Sequence, residues 1–497
     1  MRKSCFLPVI LIVILFVHGC ASLVSYQFNS RSPRPLEDER FFSGLDAAVS
    51  KAGVQNAAYF KVTGFPYLRA DRFLVSLKDR LDNNDQKDQW VRWLQQLDIE
   101  ARESEIQNLP ASTMEKLTAG FEFAADRNRL QENVISYSNK LLAHDRLQPN
   151  FFDVLEKVVQ SSDEYSTVMR IFGLYPITSI PVAVVTDHVY SQIAKWHQLA
   201  PEERQVRGTL AAYGPAEDSD FSMAEIQQIL ERSKQNPLGV PRPWAGDQKT
   251  LIAVFAPVIV QDMVADYDKI GAVAWGQKQL EVDSKNSTVY YYFSHAYFKG
   301  EPVLQINYVF WFKARSGPLA PRIERGNFDG LTVRVSLSPA GAPFMVDIMN
   351  NCGCYHFFVP RKENIKRILP SPFATDAFVP TWLPHNFPRE RLTIRLNSGW
   401  HQVENIAARK RPAEFIAYNL IPYRQLEMLP RSDNANESMF TSSGIGKYSE
   451  RIEPLIFFPM GIPDIGNMRQ RGHHAIKFVG RAHFDDPHIF DLNFEFN

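Results

Sequence analysis

Cysteine is scarce in this chain. There are four in 497 residues, Cys5, Cys20, Cys352 and Cys354, too few for a scaffold held by several disulfides. Net charge is missing as well, since 55 basic residues balance 55 acidic ones. A neutral chain has no electrostatic drive toward a phosphate backbone, so nucleic acid is not among the expected partners. The two most apolar stretches, Cys5–Val17 and Ile171–Val185, are both shorter than the roughly 20 residues needed to cross a bilayer as a helix. Also absent are HExxH, GxSxG and GxxxxGK[ST], which removes the common zinc-protease, α/β-hydrolase and phosphate-loop signatures. No repeat of fixed period and no low-complexity tract is present.

What is there is core-forming material. Apolar residues make up 45% and aromatic residues 12%, enough for two or three domains with sizeable cores. The N-terminus pairs Arg2 and Lys3 with the apolar run Cys5–Val17 and ends in Val17-His18-Gly19-Cys20-Ala21-Ser22, a pattern that resembles the lipobox of bacterial lipoproteins. The resemblance implies a signal peptide over 1–19, a lipidated, palmitate-bearing Cys20, and anchorage to a membrane of the bacterial cell envelope. Ala21, not being Asp, implies the outer membrane. An ordinary cleaved signal beside a chance cysteine is the blander alternative. Loss of Arg2 and Lys3 with the signal leaves 53 basic residues. With Cys5 discarded and Cys20 lipidated, Cys352 and Cys354 are then the only thiols of the mature protein, in an oxidising compartment.

Residues 20–39 are polar, carry Pro33 and Pro35, and read as a tether. From 40 to 236 the apolar spacing is helical. Trp90, Trp93, Leu94 and Leu97 share a face, Ser112–Glu115 and Ser222–Glu225 look like capping boxes, and Asn150 stands where it could cap a helix. A long helical segment is expected to run on to about Ala143. Ile171–Val185 has no charge and two prolines. It reads either as a membrane- or partner-docking segment or as a buried loop entering a core helix, and the inward period Val185, Val189, Ile193, Trp196 favours the second. Residues 237–246, rich in Pro and Gly, mark a linker. Beyond it, 247–497 is β-rich, with hairpins predicted at 288–312, 331–348 and 391–406 and strands at Leu455–Phe458 and His474–Phe478. The fold class is therefore α+β, a helical N-terminal domain followed by a largely antiparallel β domain.

One cluster of soft ligands stands out. In a regular strand Cys352, Cys354 and His356 would point to one face, and thiolates with imidazole are donors that zinc prefers. His474 and His483 lie in a C-terminal stretch that could complete such a site. Asn350, Asn351 and Gly353 argue instead for a turn, and the spacing matches no known zinc signature. Structural thiols, or a strained, reducible disulfide, compete with the metal. A further version makes Cys352 or Cys354 a nucleophile with His356 or His474 as base. Asp262, Asp266 and Asp268 lack a calcium loop's remaining ligands and read as turn hydrogen-bonding groups, and His295 reads as a satisfied core or interface histidine rather than a base. The functional expectation is a lipid-anchored, non-catalytic binding or structural component with a protein, lipid or glycan partner. The alternative is a metal- or thiol-dependent hydrolase centred on Cys352, Cys354 and His356.

Overall fold

The structure, a computed structural model, describes residues 34–120, 126–217, 221–371 and 374–497. The signal segment, Cys20 and most of the tether lie outside the described residues. Helix α1 (Leu36–Ala52) buries Phe41, Phe42, Leu45 and Val49 and stops where Gly53 turns left-handed. A hairpin, β1 (Phe60–Val62) with β2 (Phe65–Ala70), leads to α2 (Arg72–Leu77), capped by the Asp71 carboxylate. Helix α3 (Asn84–Asn108) carries Trp90, Leu94 and Leu97 inward as expected. The chain then makes α4 (Ala111–Ala119) and α5 (Arg127–Arg146) rather than one long helix. Ser112 caps nothing, because Pro110 occupies the N-cap and starts α4 one residue before it. Asn150 does precede α6 (Phe151–Val158), without a side-chain cap. These helices share one core.

Helices α7 (Thr167–Phe172) and α8 (Tyr175–Gln198) follow. The expected burial of Ile171–Val185 is not found. Ile171, Phe172, Ile177 and Ile180 are each at least 64% exposed, and only Ser179 and Ile193 of α8 are buried. Inward periodicity was present in the sequence, but only the last turns of α8 have a core to meet.

Strand β3 (Thr209–Pro215) and helices α9 (Met223–Ser233) and α10 (Ala245–Phe255) flank the Pro/Gly-rich stretch. The Ser222–Glu225 capping box forms. Segments on both sides of residues 237–246 enter one core, since Ile226 and Leu230 of α9 pack with Leu251 and Phe255 of α10 against the sheet.

After β4 (Val258–Met263) and the small hairpin β5 (Ala272–Trp275) with β6 (Leu280–Asp283) come the strands of the main sheet. They are β7 (Thr288–Phe298), β8 (Glu301–Arg315), β9 (Gly326–Leu337), β10 (Pro343–Asn350) and β11 (Phe357–Pro360). A short β12 (Ile365–Ile368) lies outside it, and β13 (Arg391–Leu396), β14 (Val403–Arg409) and β15 (Ile416–Pro422) complete it. Its order is β11-β10-β9-β8-β7-β15-β3-β4-β13-β14. All pairs are antiparallel except β15 with β7, β15 with β3, and β13 with β4. The three predicted hairpins are present. At the β7–β8 turn Lys299 and Gly300 both have positive φ, the geometry that matches strand twist in a two-residue loop.

The sheet curls into a half-barrel. Val346 and Val359 near one edge share a core with Ile394 and Val403 near the other. Its opposite face is also buried and mixes apolar clusters with paired charges. There Arg334 makes a two-pronged pair with Asp347 (2.9 and 2.6 Å), and Arg315 a second with Asp329 (3.0 and 2.8 Å). The C-terminal segment covers this face, so that Asn56 of the helical region reaches Glu427 and Gln470. Leu455–Phe458 is not a strand. Glu453–Phe457 is a short helix, α11, started by Pro454, whose fixed φ suits a first helical turn. His474–Phe478 is irregular, with one bridge from Ala475 to His483.

Candidate functional site

Strand alternation stops at Asn350. The loop to β11 is a tight turn in which Gly353 N donates to Asn350 O (2.7 Å) and Asn350 N to Cys354 O (3.0 Å). Gly353 has φ +90°, and a Cβ there would lie 2.3 Å from Ala475 O, so no other residue fits without shifting the backbone. Cys352 and Cys354 are free, buried thiols. The Cys354 thiol, hydrogen-bonded to Cys352, lowers the Cys352 pKa; burial opposes this and Arg315 adds to it. The same hydrogen bond and burial raise Cys354. The pair therefore gives up its first proton from Cys352 and holds the second.

The histidines do not join this pair. His356 Nε2 lies 2.9 Å from Asp347 Oδ2, and the ring is wedged edge-on against Phe358. Nε2 of His474 faces Asn351 O at 3.2 Å, and burial pushes its pKa down to about 3. His483 lies against Tyr165, with Nε2 3.3 Å from Asp163 and from Glu164 N. Among the described residues, no group of three or more His, Cys, Asp or Glu is arranged to hold a metal ion. Cys352, Cys354, His356, His474 and His483 thus do not form the zinc site that alternation suggested. The turn breaks the shared face, and the facing ring nitrogens meet partners of their own. Asp268 takes the turn role expected of it, accepting from Val264 N, Ser398 and Gly399 N, and His295 is a half-buried histidine between the helical region and the sheet, with Nε2 2.8 Å from Pro241 O.

What the loop does build is the floor of a cavity of about 220 Å³. Cys354 and Tyr355 lie on one side, Val185, Val189 and Tyr190 of α8 on another, with Trp400, Phe457 and Phe478 closing it. Two glutamates face this apolar space. Glu324 is saturated: Tyr355 Oη donates to Oε1 (2.5 Å), and Trp400 Nε1 (3.0 Å) and Arg315 Nη1 (2.6 Å) to Oε2. Glu453, only 5% exposed, lines the cavity and among the described residues has no hydrogen-bond partner. Burial, then the neighbouring Cys352 and Glu324, push its pKa up to about 8, so it is protonated near neutrality and can donate. Gly466 leaves room for its carboxyl, since a Cβ there would sit 2.0 Å from Oε2.

Sequence reasoning missed Glu453. The only signal was Pro454 in a Glu-Pro step that opens a helix, and nothing local shows which cavity the carboxyl meets.

A second cavity, about 290 Å³, opens where the helical region meets the sheet. Arg72, Arg242 and Arg471 line it opposite Asp71, Glu100 and Asp485. Burial pushes Asp485 up to about 6, against the pull of Arg72. Its guanidinium groups are already engaged, Arg471 by Glu427 and Arg72 by Asp485 and Ser162.

Comparison with family models, with curated proteins and with solved structures returns no match.

Proposed function

We propose that the chain is a lipid-anchored protein of the bacterial cell envelope, held to the outer membrane through Cys20, whose body binds an apolar ligand without transforming it. The supporting observation is the Glu453 carboxyl, without a hydrogen-bond partner among the described residues, in a cavity whose walls are mostly apolar. A buried polar group without a partner costs on the order of 1–3 kcal/mol, a cost that a ligand's own polar group would remove. Ligand sites typically join an apolar wall to a few placed polar groups. A cavity of roughly 150 Å³ already holds benzene, so 220 Å³ suits a segment of acyl chain whose head accepts a hydrogen bond from protonated Glu453.

The hydrolase reading has less behind it. A nucleophilic thiol needs a base within hydrogen-bond reach, and the side chains that set the ionisation of Cys352 and Cys354 are each other, Arg315 and nearby carboxylates rather than a histidine.

The test is titration of the purified protein with a fluorescent fatty acid such as parinaric acid. Saturable one-to-one binding is expected, weakened at least tenfold by Val189→Trp, which fills the cavity, and unchanged by Cys352→Ser, whose side chain is not among those lining it. A folded wild-type protein that shows no saturable binding sinks the reading, and activity lost in Cys354→Ser would revive the hydrolase.

A further inference from the structure

The strongest unused feature is a surface. Helices α7 and α8 present Ile171, Phe172, Ile177, Ile180 and Val184 to solvent, each at least 64% exposed, and α11 adds Leu455 at 83%. The elements are contiguous. Gly173, between the two helices, packs so closely on Pro459 that a Cβ would lie 2.4 Å from its Cα. Sixteen residues, from Ile171 through Thr186, contain no charge. Exposed apolar residues gathered on adjoining elements, rather than scattered singly, are the mark of an interaction surface.

We infer that this face rests on a lipid bilayer. Three observations choose that occupant. The chain before Arg34 carries the apolar run Cys5–Val17 and the lipobox-like Cys20, both suited to a membrane. Only thirteen residues separate Cys20 from Arg34, so the body stays within about 50 Å of the anchor even if the tether is fully extended. The patch is almost wholly aliphatic, whereas the energetic centres of protein interfaces are rich in Trp, Tyr and Arg and poor in Leu and Val.

The face lies on the membrane rather than crossing it. Among the described residues no helix is long and apolar enough to span, and Pro181 interrupts α8. Apolar side chains of an interfacial helix enter roughly 5–10 Å, to the boundary of the acyl region. Val185 and Val189 on the same helix line the cavity beside Cys354, so the docked face sets that cavity next to the lipid from which an acyl chain would come. That last step rests on the ligand reading above; the docking itself does not.

The experiment is flotation of residues 21–497, which retain every described residue, with phosphatidylcholine vesicles and with vesicles that also contain phosphatidylglycerol. Removing Cys20 removes any lipid, so flotation reports on the face alone. Binding to both vesicle types is expected, little changed between 0.1 and 0.5 M salt, and reduced at least tenfold in Ile177→Asp/Ile180→Asp. Both positions are exposed, and an unchanged circular-dichroism melt would certify the fold. Val189→Trp should float normally, which separates this inference from ligand binding. Absence of flotation by folded wild-type protein overturns the inference. So does a concentration-dependent dimer that the double variant dissociates, because a second copy would then cover the face.

Discussion

Glu324 and Glu453 face one cavity in opposite hydrogen-bonding states. Glu324 receives donors from Arg315, Tyr355 and Trp400, and Glu453 receives none among the described residues. Three converging donors fix the first as part of the architecture. The second carries the cost of burial and keeps a proton that it can offer.

That difference has a pH signature. Glu453 ionises near its ordinary value of 4.5 when unfolded and near 8 when folded. Between those values the native state holds a proton that the unfolded chain has released, so stability falls as pH rises through the window. Glu453→Gln removes this slope. We expect the variant to be more stable than wild type at pH 8, by on the order of 3 kcal/mol, and nearly equal to it at pH 4.5, as read from urea unfolding. Equal stabilities at pH 8 would mean that the carboxyl has a partner in solution.

The thiols should be silent until the fold opens. Cys352 and Cys354 are 4% and 7% exposed, so Ellman's reagent should count none in native residues 21–497 and two in urea. In Cys354→Ala the remaining Cys352 loses the hydrogen bond that lowers its pKa. Its thiolate absorbance near 240 nm should therefore appear at higher pH than the first step in wild type. An unchanged or lower titration would show that Arg315 alone sets that thiolate.

Arg315 holds the polar side of the cavity together. It pairs with Asp329 and Glu324, all three nearly out of solvent. Burial opposes ionisation of Asp329, yet Arg315 and His401 hold it well below the ordinary carboxylate range. That stabilisation is present above the unfolded pKa and is lost as pH falls through the folded one. Arg315→Met strands two buried carboxylates and should cost roughly 3–5 kcal/mol at pH 7, measured by thermal or urea unfolding. The loss should shrink toward pH 4, where the freed carboxylates take up protons. A loss that does not vary with pH would mean that packing, not charge, is what Arg315 supplies.

Much of the architecture was legible because it is local. Trp90, Leu94 and Leu97 recur at helical spacing and form a helix face, and alternation around Lys299-Gly300 yields the β7–β8 hairpin. Errors arose where one local cue was outweighed by another, or where a local cue met a longer-range constraint. Leu455–Phe458 is strand-like in composition, but Pro454 starts a helix there. Cys352, Cys354 and His356 alternate in sequence, but the turn at Gly353, pinned against Ala475 O, ends the strand before them.

By itself the sequence determined the α+β class, the three long hairpins, and Cys352 and Cys354 as the chain's only close cysteine pair, because each depends on residues near one another in the chain. Tertiary structure alone decided that Ile171–Val185 faces outward, that Glu453 meets Cys354 across an apolar cavity, and that the histidines go elsewhere. Those outcomes turn on which distant segments pack together. Whether a given apolar residue finds a core, or a carboxyl finds a donor, depends on a neighbour a hundred or more residues away.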